Sequence, residues 1–150
     1  MKKTKFFLGN APWRKPGFYG VRAGSRWPHF EDERMEYMPF PFFLAYAAAV
    51  LERDGFPVML VDAIAEAIDD NTFIARIREF RPDAVLLEVS TNSIDWDLKT
   101  AAKVRAEFPD ACLILSGLHA DMYKTDFLRA HPEVDAVLVG EYEMTLLDVA

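Results

Sequence analysis

Small polar residues and glycines directly follow several short apolar runs in this sequence. Hydroxyl and amide side chains offer hydrogen bonds, and glycine lets a ligand approach the main chain closely. Each group alone has a structural explanation as a turn or a helix start. Gathered on one edge of a sheet, they predict a binding site for a large ligand. The candidate residues are Asn10, Ser90, Thr91, Asn92, Ser116, Gly117, His119, Ala120, Gly140 and Glu141.

Several familiar cofactor and catalytic motifs are absent from the sequence. There is no G-x-x-x-x-G-K-[ST] phosphate loop, and no G-x-G-x-x-G follows the first apolar run. Asn10 and Ser90 occupy positions where a phosphoacceptor receiver domain would carry acids. Pro12, Trp13 and Pro16 replace the Ser/Thr-rich loop that a flavin mononucleotide phosphate needs. These absences exclude a phosphate loop and a receiver site, and they disfavour flavodoxin chemistry.

The titratable residues do not pair a nucleophile with a base. His131 precedes Pro132 in an HPEVD turn and is expected at the surface. His119 is expected either to hydrogen-bond a ligand or to make a structural backbone contact. Cys112, the single cysteine, lies in the apolar run CLIL and is expected in the core, which excludes a disulfide framework. The residues therefore predict a binding domain without catalytic residues or metal ligands of its own.

Apolar runs alternate with helical patterns along the whole chain, which predicts a parallel sheet covered by helices on both faces. The predicted strands are residues 5–9, 58–62, 84–90, 112–116 and 136–140. The predicted helices are residues 42–54, 71–80, 95–108, 125–130 and the closing segment EYEMTLLDVA. Right-handed crossovers then give an α/β fold, a flavodoxin-like doubly wound sheet in the order 2-1-3-4-5. Ligands of such sheets bind beyond the C-terminal strand ends, where the candidate residues lie.

A long basic loop is predicted at about residues 11–38, where no helix or strand period is evident. Residues 1–26 carry seven basic side chains and no acid, although the whole chain has a net charge of −7. The remaining residues therefore carry −14, and generic nucleic-acid binding is disfavoured. The loop is predicted either to face an anionic ligand or to be a solvated cationic segment.

Length and hydropathy limit the classes of protein to which the sequence can belong. The 150 residues, 51% of them hydrophobic, are enough for one domain with a substantial core. No apolar run approaches the roughly 18 to 20 residues of a membrane helix, and no signal peptide is evident. We therefore expect a single domain over residues 1–150 that is cytoplasmic and acts without membrane or nucleic-acid partners.

Four segments carry a family resemblance through their order and spacing. They are YMPFPFFLAYAAAVLERDGFPVMLVDA, FRPDAVLLEVST, PDACLILSGLHAD and PEVDAVLVGEYEMTLLDV, within about residues 37–150. Together they resemble the N-terminal cobalamin-binding domain of cobalamin-dependent radical S-adenosylmethionine enzymes, a group similar to the anaerobic magnesium-protoporphyrin monomethyl ester cyclase. The family patterns G-G-x-H-A-[TS] and G-E-G-E-x-T are altered here at Ser116, Asp121 and Tyr142. These departures concern individual ligand contacts rather than the fold.

The resemblance implies cobalamin bound at the C-terminal strand ends. Related carriers such as methionine synthase coordinate cobalt through the histidine of D-x-H-x-x-G, but residues 10–16 read NAPWRKP and contain no histidine. In lacking this histidine the sequence is similar to the radical-enzyme branch, whose members generally bind cobalamin without that lower ligand. The resemblance further implies that the dimethylbenzimidazole tail lies along the strand-end rim. The residues that would line its groove are Ser90, Thr91, Ser116, Gly117 and Gly140.

The resemblance also implies where the basic loop lies. The loop follows the first strand, at the position where other cobalamin carriers have the loop with the cobalt-ligating histidine. It would cover the lower face of the corrin ring. Trp13 or Trp27 would then pack against the ring. Arg22 or Arg26 would meet a propionamide, the phosphate or acids of a neighbouring domain.

The resemblance finally implies a longer parent enzyme, since the sequence contains no C-x-x-x-C-x-x-C motif. A following barrel domain of the parent would bind a [4Fe–4S] cluster and S-adenosylmethionine, often for methyl transfer through methylcobalamin. On this interpretation the domain positions cobalamin and is not catalytic alone. Two alternatives stay open: an interaction module of the same fold that has lost its ligand, and a flavin or nucleotide carrier.

Overall fold

The computed structural model describes residues 2–15, 17–20, 29–30 and 38–150. The strands are β1 (Phe6–Asn10), β2 (Arg14–Lys15), β3 (Phe18–Gly20), β4 (His29–Phe30), β5 (Val58–Asp62), β6 (Ala84–Glu88), β7 (Cys112–Ser116) and β8 (Ala136–Leu138). The helices are α1 (Phe42–Arg53), α2 (Asp70–Phe80), α3 (Ile94–Glu107), α4 (Leu118–Ala130) and α5 (Glu143–Val149). Among the described residues, no helix is long and apolar enough to cross a membrane.

Five of the strands form one parallel sheet in the order β5-β1-β6-β7-β8. Counted within this sheet, the order is 2-1-3-4-5, so the predicted doubly wound topology is confirmed. The central strands are buried along their whole length, as their continuous apolar runs require for a sheet covered on both faces.

Side chains that alternate along the strands build two separate cores. On one face, Leu8 packs with Leu44 of α1 and Leu146 of α5. On the other face, Phe7 meets Phe73 of α2 edge to face, with ring centroids 5.4 Å apart, and α3 and α4 complete that core. In the part of the chain that the structure describes, helices therefore cover both faces of the sheet.

The segment predicted as a long loop contains three short strands. They form an antiparallel sheet in the order β2-β3-β4, with Arg14 opposite Tyr19 and Gly20 opposite His29. Gly17 turns the chain between the first two strands at a φ of 78°. Strands of two or three residues are too short to show an alternating pattern, which explains why the sequence did not reveal them.

Three helices begin earlier than the sequence predicted: α2 at Asp70, α3 at Ile94 and α4 at Leu118. Asp69 is the N-cap of α2, and its Oδ1 accepts a hydrogen bond of 2.8 Å from the Thr72 N–H. Helix α4 starts directly after Gly117, and its non-helical Lys124 separates the first turns from the predicted residues 125–130. His119 and Ala120 consequently lie in the first turn of a helix rather than in a loop.

Candidate functional site

A row of buried polar side chains crosses the C-terminal edge of the sheet. Asp62, Asn10, Glu88 and Ser116 are the last residues of β5, β1, β6 and β7, and each is between 0% and 9% exposed. Asn10 is opposite Asp62, and Glu88 is opposite Ser116. The residues two positions earlier in these strands pack toward α1 and α5, so strand alternation directs all four side chains to that face. We call these four residues the polar row.

Asp62 and Glu88 accept hydrogen bonds that attach the polar row to its surroundings. Asp62 Oδ1 accepts from the N–H groups of Ile64 and Ala65, each at 3.2 Å, and so holds the turn after β5. Glu88 Oε2 accepts from the hydroxyl of Tyr142 at 3.3 Å. Burial and then the charge of Glu88 raise the pKa of Tyr142, so the phenol remains a hydrogen-bond donor.

Like the Ser116 hydroxyl, the side-chain oxygen of Asn10 lacks a hydrogen-bond partner among the described residues. The residue is 1% exposed, and no described residue donates a hydrogen bond to Oδ1. Its main-chain carbonyl is satisfied, since it accepts from the Ala63 N–H at 3.1 Å. A buried acceptor without a donor costs about 1–3 kcal/mol. An unpaired acceptor of this kind, at an edge predicted to bind a ligand, fits a ligand that carries a hydrogen-bond donor.

Gly117 brings the ends of β6 and β7 together. The Val89 N–H donates to the Ser116 carbonyl at 2.8 Å. Gly117 has a φ of 104°, and a Cβ at this position would lie 2.3 Å from the Val89 carbonyl oxygen. A glycine is therefore required here by the approach of two backbone segments, whatever else it does for a ligand.

Thr91 and His119 meet on the accessible part of the edge. Thr91 Oγ1 and His119 Nδ1 are 3.3 Å apart, joining the loop after β6 to the first turn of α4. Burial, followed by the nearby His131, lowers the pKa of His119. The imidazole is therefore neutral at neutral pH and can both donate and accept. The neighbouring Asn92 is exposed and available to the same space.

A buried carboxylate holds the loop after β6 in place. Asp97 is fully buried in α3, and its Oδ2 accepts from the Ser93 hydroxyl at 2.7 Å and from the Ser90 N–H at 3.4 Å. The hydroxyls of Ser90 and Ser93 are also 2.8 Å apart. Sequence reasoning missed Asp97, although its spacing of four residues from Ser93 at a helix start is the signal that could have found it.

Trp13 packs into the interior of the domain. Its indole is 4% exposed and lies 5.5 Å, between ring centroids, from Trp96 of α3. A Cβ at Gly20 would be 2.3 Å from the indole, so β3 also lies directly against this ring. A cavity of about 270 Å³ opens beside the two tryptophans. Its walls are Pro12, Trp13, Ala63, Ile64, Ala67, Ile68, Asp69, Asp70 and Trp96.

The remaining candidate residues differ in their accessibility. Ala120 is fully buried on the core-facing side of α4, and the Ser116 side chain faces the interior as part of the polar row. Gly140 and Glu141 are exposed after β8. Arg22, Arg26 and Trp27 lie outside the described residues. Within the described ranges, no three His, Cys, Asp or Glu side chains converge as a metal site would require.

Comparison with protein families and curated sequences gives consistent matches. The family described as the B12 binding domain matches residues 34–150. The anaerobic magnesium-protoporphyrin IX monomethyl ester cyclase of Rubrivivax gelatinosus is 27% identical over 131 residues, covering 87% of this chain and 21% of the relative. The cytidylyl-2-hydroxyethylphosphonate methyltransferase of Streptomyces wedmorensis is 30% identical over 129 residues, covering 72% of this chain and 23% of the relative. The chain thus spans about a fifth of the length of these curated relatives.

Solved structures share the fold. The cobalamin-dependent S-adenosylmethionine radical enzyme OxsB, with aqua-cobalamin and S-adenosylmethionine bound, gives a TM-score of 0.74 at 13% identity over 99% of this chain and 18% of that chain. The radical S-adenosylmethionine methyltransferase TsrM from Kitasatospora setae gives 0.72 at 15% identity, over 98% of this chain and 25% of that chain. A cobalamin-binding protein from Desulfitobacterium hafniense DCB-2 gives 0.62 at 14% identity, over 99% and 58%.

Proposed function

This chain belongs to the B12-binding domain family, and we propose that it binds cobalamin at the C-terminal edge of its five-stranded sheet. The observation that carries the proposal is the buried Asn10 Oδ1, which has no donor among the described residues at the strand ends where such sheets bind ligands. Cobalamin presents many amide N–H donors, which are the kind of group that the unpaired Asn10 Oδ1 at this edge could accept from.

The accessible residues of the edge suit a large ligand with many uncharged hydrogen-bonding groups. Thr91 and Asn92 offer a hydroxyl and an amide, and His119 adds a neutral imidazole. Bound cobalamin would supply a cobalt centre able to carry a methyl group, while these side chains would hold and orient its periphery. Residues 10–16 contain no histidine, which supports binding without a lower cobalt ligand from the loop after β1.

The domain would act within a longer radical S-adenosylmethionine enzyme. Helices that follow parallel strands begin at the C-terminal edge of the sheet, and the first turns of α4 and α5 expose large apolar side chains there. These are Leu118, Met122, Tyr123 and Met144. Exposed apolar groups of this size mark interaction surfaces. They support the docking of a following barrel domain against this edge of the sheet. That domain would hold a [4Fe–4S] cluster and S-adenosylmethionine and would use the bound cobalamin for methyl transfer.

The binding proposal is tested with purified protein. Hydroxocobalamin is added, unbound corrinoid is removed by desalting, and the visible spectrum is recorded. Retained corrin absorbance in a one-to-one ratio is the expected result, whereas colourless protein contradicts cobalamin binding. Parallel samples with flavin mononucleotide and with nucleotides examine the carrier alternative, which retention of either would favour. Protein that retains none of these ligands would favour an interaction module.

A further inference from the structure

A cavity of about 270 Å³ lies on the opposite face of the sheet from the polar row. Its wall residue Ala63 belongs to the core beneath α2, α3 and α4, and Ile68 packs against that core. The polar row faces α1 and α5 instead. The cavity is therefore a separate space, and none of its described walls takes part in the cobalamin binding proposed above.

The described walls of the cavity are mostly apolar and include two indole rings. Trp13 is 4% exposed, and its ring centroid lies 5.5 Å from that of Trp96, with the ring planes at 43°. Pro12 and Ile64 add further apolar surface. A cavity of about 150 Å³ can hold benzene, so this one has room for one or two fused rings. Because aromatic rings pack favourably against one another, a flat aromatic group suits these walls.

Asp69 and Asp70 are the charged residues among the described walls, and they are not equivalent. Asp70 already has two partners, since its carboxylate accepts from the Thr100 hydroxyl at 3.2 Å and from Lys103 Nζ at 2.7 Å. Asp69 accepts from the Thr72 N–H through Oδ1, and no other described residue donates to it. Hydrogen bonding from Thr72 lowers the pKa of Asp69, so this carboxylate is ionised at neutral pH. Since Asp69 is exposed, its Oδ2 offers a charged acceptor on the solvent side of the cavity.

The charges beside the cavity favour a cation over an anion. The N–H groups at the start of α2 could attract an anion, but the Asp69 carboxylate already caps this helix. Lys103 is paired with Asp70. Lys99 Nζ lies over the Trp96 ring, 5.7 Å from its centroid, and is not among the described walls. A cationic group at Asp69 would remain at the surface and keep much of its hydration, so the cost of placing it there is small.

We propose that the cavity is a binding site for an aromatic amine, with the rings of the ligand against Trp13 and Trp96 and its ammonium group at Asp69. The apolar walls would bind the rings, and the carboxylate would select amines over acids of the same shape. The site is distinct from the polar row and does not depend on cobalamin. It gives the domain a second binding function at the same end of the sheet, because Trp13 and Ala63 follow β1 and β5 along the chain.

The test observes the cavity by NMR through the indole N–H signals of ¹⁵N-labelled protein, which has three tryptophans. Tryptophan-to-phenylalanine variants assign the signals. Titration with 1-naphthylmethylamine should shift the Trp13 and Trp96 signals with a Kd on the order of 1 mM or lower. The matched acid, 1-naphthylacetate, should bind at least about threefold more weakly because Asp69 repels it. Signals that stay unchanged at about 5 mM amine, or equal affinities for amine and acid, would overturn the proposal.

Asp69→Asn tests the charge without removing the helix cap, because asparagine caps helices about as well as aspartate does. It should weaken binding of the amine about threefold and remove the preference for the amine over the acid. Asp110→Asn is the matched control, since Asp110 is an exposed acid in the turn before β7 and is not among the described walls. This control should leave both Kd values unchanged. An unchanged preference in Asp69→Asn, or the same loss in Asp110→Asn, would overturn the role of Asp69.

Two further titrations separate the parts of the proposal. Benzylamine should bind about threefold more tightly than cyclohexylmethylamine, whose ring is saturated. Equal affinities would overturn the recognition of an aromatic ring. With saturating cyanocobalamin, the Kd for 1-naphthylmethylamine should stay within about twofold, because the cavity is separate from the polar row. Competition between the two ligands would overturn a separate site.

The results also distinguish this inference from the proposed function. Protein that binds cobalamin but no aromatic amine would contradict the inference alone. Protein that binds the amine at Trp13 and Trp96 but no cobalamin would contradict the proposed function and leave the inference standing.

Discussion

The Tyr142 hydroxyl donates a hydrogen bond of 3.3 Å to Glu88 Oε2, and both side chains are buried where β6 ends and α5 begins. Tyr142 is the N-cap residue of α5, so this contact ties that helix to the centre of the sheet. In the family pattern that the sequence resembles, the corresponding residue is a glycine. A glycine would leave Glu88 without the Tyr142 hydroxyl as a donor.

Tyr142→Phe should lower the free energy of unfolding by about 1–3 kcal/mol, because it removes a donor from a buried carboxylate. Urea denaturation followed by circular dichroism measures the change. Tyr46→Phe is the control, since Tyr46 is exposed on α1 and its variant should stay within about 0.5 kcal/mol of wild type. Equal effects of the two substitutions would contradict a structural role for the contact with Glu88.

Alkaline pH should destabilise the domain through Tyr142. Burial first, and then the charges of Glu88 and Glu143, raise its pKa in the folded state above the ordinary value of about 10. Above that pH the unfolded chain releases the phenol proton while the folded protein keeps it, so stability falls as pH rises. Unfolding free energies measured from pH 8 to 11 should decline more steeply for wild type than for Tyr142→Phe. Parallel curves would argue against the raised pKa.

Mildly acidic pH should also destabilise the domain, in this case through His119. Burial, and then the nearby His131, lower the pKa of His119 below about 6.5. Below that pH the unfolded chain binds a proton that the folded protein accepts less readily, so stability falls as pH decreases from 7 to 5. His119→Gln should reduce this slope. Titration of the imidazole by NMR gives the pKa directly, and a value at or above 6.5 would contradict the prediction.

The strand order was predictable because each strand of the main sheet is a continuous apolar run bounded by polar or proline residues. The runs at β6 and β7, preceded by Pro82-Asp83 and Pro109-Asp110, are examples. Parallel pairing and right-handed crossovers then leave few topologies. The positions of the residues just beyond the strands were also predictable, since such a position is fixed once the strand is found. Their role in binding a ligand stays a prediction.

The interior of the site was less predictable, because its polar side chains depend on tertiary burial. Asp97 reads in sequence as a solvated first-turn acid, yet α3 directs it inward to hold Ser93. The resemblance places Trp13 in a loop over the corrin ring, whereas in the structure β3 lies against its buried indole. In both cases the deciding contact comes from a segment whose position the local sequence does not specify.

Asp97→Asn should destabilise the domain by about 1–3 kcal/mol and loosen the loop after β6, because Asp97 is the acceptor for both Ser93 and Ser90. Urea denaturation measures the first effect, and faster hydrogen exchange of the Ser90 amide measures the second. Asp95→Asn removes the same charge from the same helical turn at an exposed position. It controls for the interaction of that charge with the helix dipole. Similar losses in both variants would assign the effect to charge rather than to the hydrogen bonds.

Gly117→Ala and Gly140→Ala separate close backbone contact from backbone conformation. Both glycines have positive φ, so each substitution incurs about 1–3 kcal/mol of conformational strain. Only at Gly117 would the new Cβ also meet the Val89 carbonyl at 2.3 Å, whereas nothing lies within 4 Å at Gly140. Gly117→Ala should therefore cost at least about 1 kcal/mol more in urea denaturation than Gly140→Ala, because β6 and β7 must move apart at their ends. Equal costs would mean that the two strand ends separate easily. The contact between Val89 and Gly117 would then not be the feature that sets the shape of the edge.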